Sequence, residues 1–136
     1  MEFIAAGDIL SFSNSGVTSH QLLFPENSNS TRVTVTRVVL QAGACNPRHR
    51  HASSEQIWVA LRGQGILLLG GDTTRPFAPG DVVRFEDGDT HGLQNDGEGE
   101  FEYLSITSPP LNFRQAYANG WGQVQSSPSP HGQEQA

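Results

Sequence analysis

Chain breakers recur at short intervals along this chain and leave little room for long helices. The 136 residues include 15 Gly and 8 Pro. Between them lie short runs rich in Val, Ile, Leu, Phe and Thr. No window of eleven or more residues shows a sustained helical period. Short β-branched runs separated by frequent turn residues are the pattern of an all-β sandwich or barrel.

The sequence predicts strands over 32–40, 56–62, 65–69, 81–85, 92–95 and 101–107, with a weaker one over 17–24. Turns are expected at 63–65, 70–72, 79–81, 86–89 and 95–99. We divide the chain into N-terminal strands and loop (1–30), a barrel with a short C-terminal segment (31–122) and a tail (123–136). The tail is Gln, Ser, Pro and Gly with almost no apolar side chain, and is expected to be disordered. Phe113, Tyr117 and Trp121, spaced by four, suggest one face of a short helix over the barrel.

Charge narrows the function classes. Eight Lys+Arg against 14 Asp+Glu give a net charge of −6. No two basic residues are adjacent, so the clustered cations that bind nucleic acid are missing. No apolar run approaches the length of a membrane-spanning helix. The N-terminus, Met1-Glu2-Phe3-Ile4, has no basic region leading into an apolar stretch. The single cysteine, Cys45, has no internal partner. These features lead us to expect a cytoplasmic protein acting on a small molecule, with no nucleic-acid or membrane partner.

Chemistry concentrates at the histidines. On a strand, His49 and His51 would project to the same side and aim two imidazoles at one point. Glu55 and Gln56 follow with oxygen donors. Forty residues beyond His51, His91 comes after an acidic turn and opens a strand. Two histidines from one hairpin, one oxygen donor and a third histidine from a neighbouring strand make an open transition-metal site. Ligand type alone allows Zn, Ni, Mn or Fe.

The spacing of these residues resembles that of the cupins. Gly43, five residues, His49-x-His51, four residues, Gln56, six residues and Gly63 fit the first cupin motif. Gly80, five residues, Glu86-x-Gly88, two residues, His91, three residues and Asn95 fit the second, with Glu86 in place of its usual proline. The resemblance implies a double-stranded β-helix, or jelly-roll, barrel with His49, His51 and His91 as metal ligands. It puts Gln56 where cupins usually have Glu. A one-residue shift in the turn after His51 would give that place to Glu55. The family also implies a homodimer.

A neutral amide in place of a carboxylate leaves more positive charge on the metal. That favours Lewis-acid chemistry over oxidation. The expected function is therefore cyclisation, isomerisation or lyase chemistry on a carbonyl- or enol-bearing substrate, similar to the cupin-type cyclases of aromatic polyketides. An Fe(II) dioxygenase and a non-catalytic binding or sensing barrel are the alternatives. Glu55 and Tyr103 are the expected proton-moving groups, with His20 a further candidate. Trp58, Leu93 and Phe101 are expected to line the pocket. Arg37 sits mid-strand and is read as facing solvent, and Cys45 as inert.

Overall fold

The computed structural model describes residues 1–111. Ten strands carry the fold, with only two 3₁₀ turns of helix, Ala6–Asp8 and Gly70–Asp72, among the described residues. In chain order they are β1 (Leu10–Asn14), β2 (Val17–Leu23), β3 (Thr34–Leu40), β4 (Cys45–His49), β5 (Glu55–Arg62), β6 (Gly65–Leu68), β7 (Thr74–Phe77), β8 (Val82–Phe85), β9 (His91–Gln94) and β10 (Phe101–Ser108). They form a six-stranded sheet, β1-β2-β3-β10-β5-β8, and a four-stranded sheet, β4-β9-β6-β7. Every pairing is antiparallel. This is the all-β double-stranded β-helix that the motifs imply.

All seven predicted strands form, with ends shifted by at most two residues. β1, β4 and β7 were not expected from the sequence. β4 contains Asn46, Pro47 and Arg48, and β7 contains Pro76. Pro gives no ladder N–H, which hides a strand from any propensity argument. β1 is polar and mostly exposed. It is held by five register pairs to β2, and β2 in turn pairs along β3. The N-terminal strands are thus part of the barrel's larger sheet. The expected tail (123–136) and the helix face of Phe113, Tyr117 and Trp121 lie outside the described residues.

Strand alternation sorts the side chains. In β3, Thr34, Thr36 and Val38 are buried while Val35 and Arg37 are not. In β10, Phe101, Tyr103, Ser105 and Thr107 are buried and their neighbours are not. In β5 the buried series is Gln56, Trp58 and Ala60. The apolar core gathers Val17, Val38, Leu40, Trp58, Ala60, Leu67, Phe77, Phe85, Leu93, Phe101 and Tyr103 between the two sheets. Gly63, at the β5–β6 turn, has φ +92°, and a Cβ there would run into the Glu100 carbonyl oxygen. Only glycine fits that turn.

Asn95, the last residue of the second motif, has a structural task. Its side-chain amide donates to the carbonyls of Leu40, Gln41 and Gly99 at 3.1, 3.0 and 2.9 Å. Backbone bonds from Gly43 N to Asn95 O and from Asn95 N to Ala44 O, both 3.0 Å, complete the tie. The β3–β4 turn is thereby locked to the end of β9, which sets β4 beside β9.

Candidate metal centre

His49, His51 and His91 come together. Their ring nitrogens can supply three ligand atoms within 4.8 Å of one another, and all three residues are buried. Ring centroids lie 5.1 Å (His49–His51), 4.5 Å (His49–His91) and 5.1 Å (His51–His91) apart. His49 ends β4 and pairs with His91 at the start of β9. His51 lies just beyond β4, and its carbonyl accepts the Gly88 N–H at 2.8 Å. That bond ties the loop before His91 to the segment carrying the other two.

Local backbone explains the convergence. Between Asn46 and His49 the register with β9 slips, at the point where Pro47 interrupts the ladder. β9 crosses there at very short range. A Cβ on Gly92 would lie 2.7 Å from the Asn46 carbonyl oxygen and 2.8 Å from the Pro47 carbonyl carbon. Glycine at 92 lets β9 approach closely enough to bring His91 to His49.

Two of the imidazoles are oriented by backbone carbonyls. His49 Nδ1 lies 2.6 Å from Pro47 O, and His91 Nδ1 lies 2.9 Å from Asp89 O. A carbonyl can only accept, so each Nδ1 carries the proton and each Nε2 keeps its lone pair. Tying the remote nitrogen in this way is how metal-binding histidines are commonly positioned. His91 Nε2 is buried and makes no hydrogen bond. Burial, reinforced by the neighbouring His49 and His51, holds the His91 pKa well below the usual histidine range. The ring is therefore neutral near pH 7, the state a metal ligand requires. Phe85 stacks on it at 4.5 Å, and the Trp58 ring stands edge-on at 5.3 Å.

Gln56 and Glu55 divide as the pleat demands. Gln56 is fully buried on the inner face of β5. Its Oε1 accepts the Trp58 indole N–H at 2.9 Å, and its Nε2 donates to Thr107 Oγ1 at 2.8 Å. Glu55 points the other way. Its carboxylate accepts from Arg84 Nε at 2.8 Å on the outer surface, with the Glu55 side chain 40% exposed. The expectation that Glu55 moves a proton at the site is corrected here, because it lies on the opposite face of β5 from Gln56.

The other candidates also find their places. Tyr103 faces inward at 1% exposure, accepts from Asn46 Nδ2 at 3.0 Å and packs on Trp58 at 4.5 Å. Trp58 touches His91, while Phe101 packs on Phe77 and Tyr103 in the apolar core. Leu93, also in that core, is fully buried opposite Leu67. His20 lies on the outer face, 2.6 Å from Ser11 Oγ, and Arg37 beside it pairs with Glu102 at 3.2 Å. Cys45 is a free, half-buried thiol whose pKa burial raises. The sequence reading missed Phe85, Thr107 and Asn46. Their register against Gln56 and Leu93 would have found them, had β4 and the β5–β8 pairing been known.

Residues 36–107, more than half of the chain, match the cupin domain family. The chain belongs to the cupin family. An oxalate-binding protein of Thermotoga maritima is 27% identical over 85 residues, which cover 62% of this chain and 69% of that protein. Among solved structures, this cupin is similar to ectoine synthase from P. lautus, with a TM-score of 0.72 and 15% identity over 88% of this chain and 86% of that one. It is also similar to KdgF from Halomonas sp., with a TM-score of 0.67 and 19% identity over 79% and 94%. At these identities the structures show the shared fold. No helix among the described residues is long and apolar enough to cross a membrane.

Proposed function

We propose that this cupin is a metal-dependent enzyme acting on a small carbonyl- or enol-bearing molecule by cyclisation, isomerisation or lyase chemistry. The observation that carries the reading is the buried, neutral His91, whose Nε2 makes no hydrogen bond within a cluster of three histidines. Burying such a nitrogen without a partner is unfavourable unless something else engages its lone pair.

In this reading His49, His51 and His91 hold one divalent transition metal through Nε2 of the two oriented rings and a ring nitrogen of His51. Gln56 is the fourth ligand. Its Oε1 has two lone pairs, of which the Trp58 N–H takes one. When bound, a Zn, Ni, Mn or Fe ion supplies Lewis acidity toward a substrate oxygen. The remaining work falls to the chain. Trp58 and Thr107 hold the Gln56 amide in one orientation, and Phe85 fixes the plane of His91. Tyr103 is the buried phenol we assign to hydrogen bonding or proton donation at the substrate.

Elemental analysis of protein purified without chelator or affinity tag tests the reading. About one equivalent of metal in the native protein, and under a tenth in His91→Ala, is the expected result. Absence of metal, with no uptake on adding Zn, Ni, Mn or Fe, would overturn it. A second reading, ligand binding without turnover, draws support from the binding function in the name of the Thermotoga relative. Metal-loaded protein that binds a small molecule tightly and returns it unchanged would decide for that reading. Homodimer formation is part of the proposal and is checked by sedimentation.

A further inference from the structure

The inner face of the six-stranded sheet changes character along its strands. Read along β2 the buried series is Val17, Ser19, Gln21. Along β3 in reverse it is Leu40, Val38, Thr36, Thr34. Along β10 it is Phe101, Tyr103, Ser105, Thr107, and along β5 in reverse Ala60, Trp58, Gln56. The strands are paired so that the polar ends fall side by side. Gln21 stands opposite Thr36, Thr36 opposite Ser105, and Ser105 opposite Trp58. One row further on, Thr34 stands opposite Thr107, and Thr107 opposite Gln56. Adjacent strands lie about 4.8 Å apart, so Ser105 and Thr107 are one strand from the Trp58–Gln56 pair and Thr34 and Thr36 two.

This polar wall is not satisfied from within. Gln21 Nε2, Thr34 Oγ1 and Ser105 Oγ are buried and make no hydrogen bond. Their residues are 0%, 0% and 3% exposed. Gln21 Oε1 accepts only a long bond, from Thr36 Oγ1 at 3.4 Å. Such groups weaken a fold unless a ligand or an ordered water meets them. The wall also lacks formal charge. Among the described residues, the buried polar set contains no Asp, Glu, Lys or Arg.

We infer, building on the metal-centre reading above, that Gln21, Thr34 and Ser105 form a neutral polar subsite for a small uncharged molecule rich in hydroxyl and carbonyl oxygens, a sugar-sized polyol or hydroxy-ketone. Gln21 Nε2 donates to a ligand oxygen. The two hydroxyls can donate or accept, which suits a hydroxyl-bearing partner. An anionic ligand would find no cation on this wall, and a flat apolar one would leave its donors buried and unmet. This moves the substrate class away from the aromatic polyketide expected from the sequence.

Two measurements on the full chain test the assignment. The first is thermal unfolding of ligand-free Thr34→Val and Ser105→Ala. A binding wall sacrifices stability, so each variant should melt several degrees above the native protein. A fall of several degrees in both would show hydroxyls serving the fold and would overturn the subsite. The second is calorimetric titration of metal-loaded protein with D-fructose, D-gluconate and 1-naphthol. We expect fructose to bind most tightly, and at least tenfold more weakly to the Gln21→Leu/Thr34→Val/Ser105→Ala variant. Tighter binding of gluconate or naphthol, or fructose binding unchanged in the triple variant, would overturn the assignment. Metal content measured on the same samples separates the two proposals. Loss of the metal-centre reading shows as absent metal in the native protein, and leaves the melting result to judge the wall alone.

Discussion

The two faces of the six-stranded sheet both carry polar side chains, and they treat them differently. Outside, the groups form a ladder across strands. Arg37 meets Glu102 at 3.2 Å, Arg62 meets Glu102 and Glu100 at 2.9 and 2.8 Å, and Gln41 meets Glu100 at 3.0 Å. His20 meets Ser11. Inside, Gln21, Thr34 and Ser105 present polar atoms that nothing in the fold meets. Exposed partners trade readily with water, so the ladder adds little stability. An unmet buried group costs about 1–3 kcal/mol. The interior meets Gln56, Asn46 Nδ2 and Asn95 within the fold and leaves Gln21, Thr34 and Ser105 unmet, which is the contrast on which the proposed subsite rests.

The comparison breaks most visibly at its apolar end. Phe101→Ala should destabilise the fold by about 3–5 kcal/mol, since Phe101 is fully buried against Phe77 and Tyr103. Denaturant titration checks this, and a loss under about 1 kcal/mol would mean that the apolar half of the barrel is loosely packed. Gly92→Ala comes next. Its Cβ must push apart two strands with backbone atoms at 2.7 to 2.9 Å. A loss of about 1–3 kcal/mol is expected, together with weaker metal retention on dialysis, because His91 is the next residue.

The outer ladder should respond least. Glu55→Gln removes the Arg84 pair, whose side chains are 40% and 55% exposed. Stability should change by less than about 0.5 kcal/mol, and metal content should stay unchanged. A Glu55→Gln protein that loses its metal while Gln56→Ala keeps it would reverse the assignment of the two neighbours. Gln56→Ala itself should weaken metal affinity by roughly tenfold or more.

The smallest effect is one of pH. Burial first, and then the neighbouring Arg37, lower the His20 pKa, while Glu102 partly opposes them. The unfolded chain, with His20 near 6.5, therefore takes up a proton before the native state does. Stability contributed by the neutral ring is intact above that pH and falls as pH drops through it. His20→Gln should make the melting temperature depend less on pH between about 7 and 5.5 than it does in the native protein. A His20→Gln protein that loses more melting temperature than the native protein on acidification through this range would contradict the sign.

The sequence revealed the fold and the three histidines for a common reason. Both rest on short-range spacing, breakers between β-branched runs in one case and His49-x-His51 with His91 after a turn in the other. Spacing to Gly63 favoured Gln56 over Glu55, and the direction in which β5 faces adds that Glu55 lies on the outer surface. The polar wall was invisible for a stronger reason. Thr34 and Thr36 read as ordinary strand formers, and Gln21 lies in a weak strand. They become a surface only when β2, β3 and β10 are set side by side in register. Pro47 and Pro76 hid β4 and β7, and with β4 the contact from Asn46 to Tyr103.

The bond from Gly88 N to His51 O has an evolutionary consequence. It joins the two histidine-bearing segments through main chain alone, so it depends on no side chain beyond the conformation that Gly88 itself allows. Gly88 must stay glycine, given its φ of +85°. The exposed Glu86 and Asp87 beside it are under no such constraint. Divergence can therefore rewrite the rim of this barrel, one residue at a time, while the three histidines stay in register beneath it.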